Sequence, residues 1–219
     1  MSKVAAFFDV DETLINMKSM FNFYEYWCVS QNLEDQLHLY LNQFKQDTTN
    51  GKSREFLNKQ YYKEFNQVEY SRLLLIGQQW FEQLKTSDLF IKNTIARLNQ
   101  HLKDGETPVF VSGSMYPILA PIASYLHVDE ILSAPLLIDH EGFCTGEIGT
   151  PQTIGLGKKA AALAYCKRNA IDPADCYAYG DDTSDIPMLE LTGNPVCVGH
   201  NQQLLDYGNS KGWKHISFN

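Results

Sequence analysis

Val4-Ala5-Ala6-Phe7-Phe8-Asp9-Val10-Asp11-Glu12-Thr13 decides the fold. Five apolar residues run unbroken and then stop at two carboxylates placed two residues apart. A short apolar run bounded by turn residues reads as a strand buried on both faces, as in a parallel sheet. Two further runs end the same way: Pro108 to Val111 gives onto Ser112-Gly113-Ser114, and Cys176 to Tyr179 gives onto Gly180-Asp181-Asp182-Thr183-Ser184-Asp185. Ligands of open α/β sheets bind at the carboxyl ends of their strands. Carboxylates and a hydroxyl scattered along the chain are therefore expected to meet at one sheet edge.

Between about Ile15 and Thr86 the character changes. Proline is absent, glycine nearly so, and aromatic residues recur at helical spacing. Met20, Phe23, Tyr24 and Trp27 form one stripe; Leu37, Leu41 and Phe44 a second; Phe56, Gln60, Tyr61 and Phe65 a third; Leu73, Leu74, Trp80, Phe81 and Leu84 a fourth. Each fits an amphipathic helix, with Ser53 or Thr49 as cap of the third, and together they predict a small bundle. Most of these aromatics are expected to be its core. From Asp88 onward helix and strand alternate. Helices are expected at 91–102, 116–126, 158–169, 186–191 and 202–208, and strands at 108–111, 130–138, 142–148, 176–179, 195–198 and near Ile216. That alternation implies a Rossmann-like parallel sheet core covered on both faces. The expected organisation is a core of residues 1–15 and 86–219, with residues 16–85 as an inserted helical unit beside Asp11.

The 219 residues carry a net charge of −8, which argues against a generic nucleic-acid or anionic-membrane binder. An anionic small substrate remains compatible, because a bound cation and one lysine reverse the local field. The five cysteines are odd in number, widely spaced and without a CxxC pair, so neither a disulfide framework nor a zinc ribbon is expected. With no apolar stretch of membrane-spanning length and no signal-peptide pattern, a cytoplasmic protein is expected. Oligomeric state is not readable.

The strand ends suggest phosphoryl chemistry. Asp9 and Asp11, two apart on an extended segment, point the same way. One can attack phosphorus while the other protonates the leaving oxygen and later activates water. Two carboxylates beside a phosphate repel one another, so a cation is called for, and Asp181 and Asp185 bring more oxygen ligands of the kind Mg²⁺ prefers. Ser112, with the Gly113 and Ser114 amides, offers donors to phosphate oxygens. Lys158 starts a helix after Gly155-Leu156-Gly157, where a cation opposes the macrodipole unless an anion holds it. Lys159 is its competitor. Asp185, before Ile186-Pro187, also suits a helix N-cap, and Asp182 is expected to be exposed or behind the ligands.

In this order and spacing the motifs resemble the haloacid dehalogenase (HAD) superfamily, in particular the phosphoserine-phosphatase-like branch with a helical C1-type cap. The matching residues are Asp9-Val10-Asp11-Glu12-Thr13, Ser112, Lys158, and Gly180-Asp181 through Asp185; Thr145-Gly146-Glu147 and the tail from Gly193 to Trp213 look like the same branch. The resemblance implies a Mg²⁺-dependent phosphatase acting on a small phosphorylated metabolite through an aspartyl phosphate. Asp9 would be nucleophile and Asp11 general acid/base. Mg²⁺ would be held by Asp9, the Asp11 backbone carbonyl and Asp181, with Asp185 supporting the metal and Lys158. Ser112, Gly113 and Lys158 would bind phosphate. Where phosphoserine phosphatases carry a substrate-reading glutamate, this chain has Lys18, which points to a negative or neutral distal group. Lys18, Met17, Phe21 and Arg54 are the specificity candidates. A phosphotransferase using the same intermediate and a receiver-like phospho-aspartate module are the alternatives. Which metabolite is taken is not legible.

Overall fold

The computed structural model describes residues 4–86 and 88–218. Its central sheet has six strands: β1 (Ala5–Phe8), β2 (Thr107–Ser112), β3 (Glu130–Ser133), β6 (Tyr177–Gly180), β7 (Asn194–Val198) and β8 (Lys214–Ile216). They lie in the order β3-β2-β1-β6-β7-β8, every pair parallel. The chain is therefore an α/β protein with a Rossmann-like core. β1 sits at the centre, with Phe8 opposite Phe110 on one side and Tyr179 on the other. Period-two alternation sends neighbouring side chains to opposite layers. Phe7 meets Tyr165 edge-on at 5.8 Å between ring centroids, while Phe8 stacks on Tyr179 at 4.3 Å. Both are fully buried, each worth about 2 kcal/mol relative to exposure.

The Tyr165 layer belongs to α7 (Leu156–Asn169), joined by α8 (Ile186–Leu189) and α9 (Gln202–Lys211). On the other face lie α5 (Lys92–Lys103) and α6 (Tyr116–Tyr125), and the helices α1 (Ser19–Gln31), α2 (Glu34–Thr49), α3 (Arg54–Lys63) and α4 (Tyr70–Leu84) join the same apolar cluster, α1 and α4 packing on α6 and α3 on the strand Cys144–Ile148. The segments that precede α1 and follow α4 run side by side, with Ile91 N–H donating to Leu14 O at 3.0 Å and Asn16 N–H to Leu89 O at 2.8 Å. Ser53 caps α3, its Oγ accepting from Phe56 N–H. All five cysteines are free and buried. Among the described residues no helix is long and apolar enough to cross a membrane.

Several expectations need correction. Residues 130–138 are not one strand: β3 stops at Ser133, and after Pro135 the chain starts a separate antiparallel hairpin of β4 (Leu136–Ile138) with β5 (Cys144–Ile148). Ala134 N–H makes the last bond to this side of β2, to Ser112 O at 3.1 Å, before the chain turns away. In α2 the buried ring is Tyr40, and Leu41 is turned outward. Gly208 does not end the last helix. A Cβ there would lie 2.6 Å from the Cys197 sulfur, so that glycine serves close packing on β7, while Gly212 at φ +72° is the stop.

Candidate active site

β1, β2 and β6 deliver Asp9, Ser112 and Asp181 to the carboxyl edge of the sheet, and α7 brings Lys158 up to them. Lys158 is buried, with Nζ 2.6 Å from Asp9 Oδ1 and 2.5 Å from Asp185 Oδ1. Burial opposes its charge, but the Asp185 and Asp9 carboxylates outweigh that and hold its pKa above the usual lysine value. Lys159 lies outside this group.

Asp9, Asp181 and Asp185 each offer a carboxylate oxygen within 4.8 Å of the others. Burial, then the proximity of the other carboxylates, raises the pKa of Asp181. Burial also raises Asp185 despite Lys158. One lysine therefore does not compensate the cluster. An all-oxygen donor set of clustered buried carboxylates fits a hard divalent cation such as Mg²⁺.

Asp185 is not the side-chain cap of α8 that its position before Ile186-Pro187 suggested. It is fully buried, and its Oδ2 accepts the Asp181 and Asp182 amides at 3.1 and 3.2 Å. Asp182 caps the short turn Thr183–Asp185 instead. Gly180 makes this packing possible, because a Cβ there would fall 2.5 Å from the Asp185 Cβ.

The Asp11 carboxylate lies outside that cluster of three. Its Oδ2 accepts the Ser19 amide at 3.0 Å, taking one of the free N–H groups that begin α1. Its Oδ1 is buried without a partner. Burial, with repulsion from Asp9 adding, pushes the Asp11 pKa up from 3.8 to about 7 against the Ser19 hydrogen bonds. Between those values the folded state binds more protons than the unfolded chain, so stability falls as pH rises. In chelator, urea unfolding should show the protein less stable at pH 7.5 than at pH 5, with Asp11→Asn flattening the difference. The slope from this group is at most about 1.4 kcal/mol per pH unit. Identical slopes in the two proteins would remove Asp11 as the source.

The Ser112-Gly113-Ser114 loop is held from several sides. Ser112 O accepts from Thr153 Oγ1 at 2.5 Å and from Ala134 N–H at 3.1 Å. Ser112 Oγ accepts the Ser114 amide at 3.1 Å, which leaves its own proton to donate. Asn58 Nδ2 of α3 donates to Gly113 O at 2.9 Å, and the Tyr62 hydroxyl, one turn on, lies 3.4 Å from the same oxygen. Sequence reasoning missed Asn58. Its spacing from Tyr61 and Tyr62 on a buried helix face was the available signal. Thr13, part of the first motif, donates from its Oγ1 to Asp181 Oδ1 at 3.0 Å, a contact the sequence did not indicate.

Over this edge lies a cavity of about 390 Å³ that takes in Asp9, Asp11, Ser112, Gly113, Lys158 and Asp181 together with residues of α1, α2 and α3. Of the specificity candidates, Lys18, Phe21 and Arg54 line it. Met17 packs into the apolar cluster instead. Lys18 Nζ lies 3.6 Å from Glu12, and Arg54 bonds both Asp182 and Ser184.

A lysine clamped between carboxylates at the carboxyl edge of a parallel sheet, beneath a cavity walled by helices, is an arrangement that can hold an anion and a cation side by side. Residues 6–190 match the family model of haloacid dehalogenase-like hydrolases, and the chain belongs to that family. Within that family its sequence is similar to that of a phosphoserine phosphatase. It is 25% identical over 225 residues to the phosphoserine phosphatase SerB1 of Mycobacterium tuberculosis, covering 98% of this chain and 70% of that one. An inhibition of morphological differentiation protein of Streptomyces azureus is 29% identical over 121 residues, 55% of this chain but only 43% of that protein's length. A Bordetella pertussis protein of unknown function superposes over the whole of both chains with a TM-score of 0.90 at 18% identity, a likeness of fold.

Proposed function

We propose that the chain is a Mg²⁺-dependent phosphatase that hydrolyses a small phosphate monoester through an aspartyl phosphate on Asp9. The observation that carries this reading is the Asp9–Lys158–Asp185 ion group on the floor of the cavity. An Asp9 oxygen attacks phosphorus, and the bond to the leaving oxygen breaks as Asp11 gives that oxygen its proton. Water then attacks the acyl phosphate, returns a proton to Asp11 and releases inorganic phosphate. A group with a pKa near 7 suits both roles at neutral pH. Lys158, the Ser112 hydroxyl and the Gly113 amide balance the charge on the phosphoryl oxygens, the main catalytic device in such transfers.

Asp9, Asp181 and the Asp11 carbonyl would hold Mg²⁺, with Asp185 behind them. When bound, the ion neutralises the carboxylate cluster and the phosphoryl oxygens. Residues 16–85 act as a cap over a core formed by 1–15 and 86–219, a division supported by the paired exit and return of the chain. Five buried free thiols support a reducing, cytoplasmic setting. Receiver-like signalling gives no role to four helices and a cavity over the aspartates.

Chelation should abolish phosphate release from p-nitrophenyl phosphate and Mg²⁺ should restore it. Rapid quenching should leave a phosphoryl group on the peptide bearing Asp9. Full activity in chelator, or a phosphoryl group elsewhere, would sink this mechanism.

A further inference from the structure

The two ends of the cavity differ in chemistry. Beyond the charged floor, one wall is a run of four aromatic rings contributed by α1, α2 and α3: Phe21, Phe44, Tyr40 and Tyr61. Phe21 meets Phe44 edge-on at 4.7 Å, Phe44 lies 6.2 Å from Tyr40, and Tyr40 lies 6.0 Å from Tyr61. Tyr40 and Tyr61 are buried and pack deeper, against Tyr24. Phe21 and Phe44 are only half-buried, so each keeps apolar surface that a ligand in the cavity would cover. Covering such surface is favourable, and rings add edge and face preferences of their own.

The charged groups beyond the floor are already paired. Lys18 faces Glu12, and Arg54 is engaged by Asp182 and Ser184. An amino-acid leaving group would bring a carboxylate and an ammonium against the rings, where unpaired charge is costly, or would have to displace these pairs. A neutral ring meets neither obstacle.

We propose that the substrate is a phosphate monoester of an alcohol bearing an aromatic ring, and that Phe21 and Phe44 set this preference by receiving the ring. The proposal rests on the phosphatase reading above and narrows it to one leaving-group class.

The test compares 2-phenylethyl phosphate, ethyl phosphate and phosphoserine with the full chain in Mg²⁺. The first two release similar primary alcohols, so the ratio of their kcat/KM values reads the ring's contacts rather than leaving-group chemistry. The wild-type protein should favour 2-phenylethyl phosphate over both others by about tenfold or more. Phe44→Ala and Phe21→Ala, checked for folding by circular dichroism, should each pull the phenylethyl-to-ethyl ratio toward one, with Phe44→Leu between. Equal or better wild-type turnover of ethyl phosphate or phosphoserine overturns the proposal and leaves the phosphatase reading standing. So does a ratio that neither alanine variant changes. Hydrolysis of none of the three, nor of p-nitrophenyl phosphate, overturns both.

Discussion

Asp9→Asn should fold as the wild type does and lose phosphatase activity by at least about three orders of magnitude. The substitution keeps the shape of the side chain and removes its charge, so the nucleophile disappears while the strand end stays packed. Asp9 directly follows β1, its amide donating to Tyr179 O at 3.0 Å, and that anchor does not involve the carboxylate. Lys158 keeps its second partner, Asp185, at 2.5 Å, so the ion group loses one contact rather than collapsing. The loss should fall on turnover, with no phosphoryl group trapped on the Asp9 peptide. Retained activity would move the nucleophile to another carboxylate of the cluster, with Asp181 the first to try by the same substitution.

How much of this was legible depends on which physical signal each residue carries. Asp9, Ser112 and Asp181 were readable because each terminates an apolar run, and strand order in a parallel sheet makes those ends converge. Lys158 was readable as a cation at a helix start that demands an anion, and Asp9 and Asp185 now answer that demand. Asp185 carried two compatible signals, and packing beneath Gly180 chose between them. Asn58 was obscured by its neighbours: its spacing from Tyr61 and Tyr62 places it on the buried face of the helix, but nothing local shows that its amide meets a loop 55 residues away. Gly208 misled because a glycine needed for contact with Cys197 and a glycine needed to end a helix look alike until the packing is known. The face of α2 was misjudged by one residue, Leu41 for Tyr40, and that residue belongs to the aromatic wall. Strand-end chemistry is thus encoded locally, whereas the wall depends on how three helices lie against one another.

Lys158→Ala should reduce both catalysis and stability, and the stability loss should depend on pH and metal in a specific way. For catalysis, the variant loses the cation nearest Asp9 and the phosphoryl group, a loss of about a hundredfold or more in kcat. For stability, it strips the counter-charge from two carboxylates, of which Asp185 is fully buried. Breaking a buried pair from one side typically costs about 3–5 kcal/mol, because the remaining charge is left uncompensated. Lys158 is the main influence lowering the Asp185 pKa, so without it that pKa rises further in the folded state while the unfolded value stays put. The folded variant then holds excess protons over a wider range, and its stability falls further as pH increases. Urea midpoints in chelator should therefore show Lys158→Ala more damaging at pH 8 than at pH 5. Millimolar Mg²⁺ should recover part of the deficit at pH 8, since a cation held by Asp9 and Asp181 beside Asp185 supplies the missing charge without supplying the lysine's reach to phosphate. Stability should return under those conditions while kcat does not. An equal deficit at both pH values, or no response to Mg²⁺, would mean that Lys158 serves packing and that the carboxylates do not form a cation site.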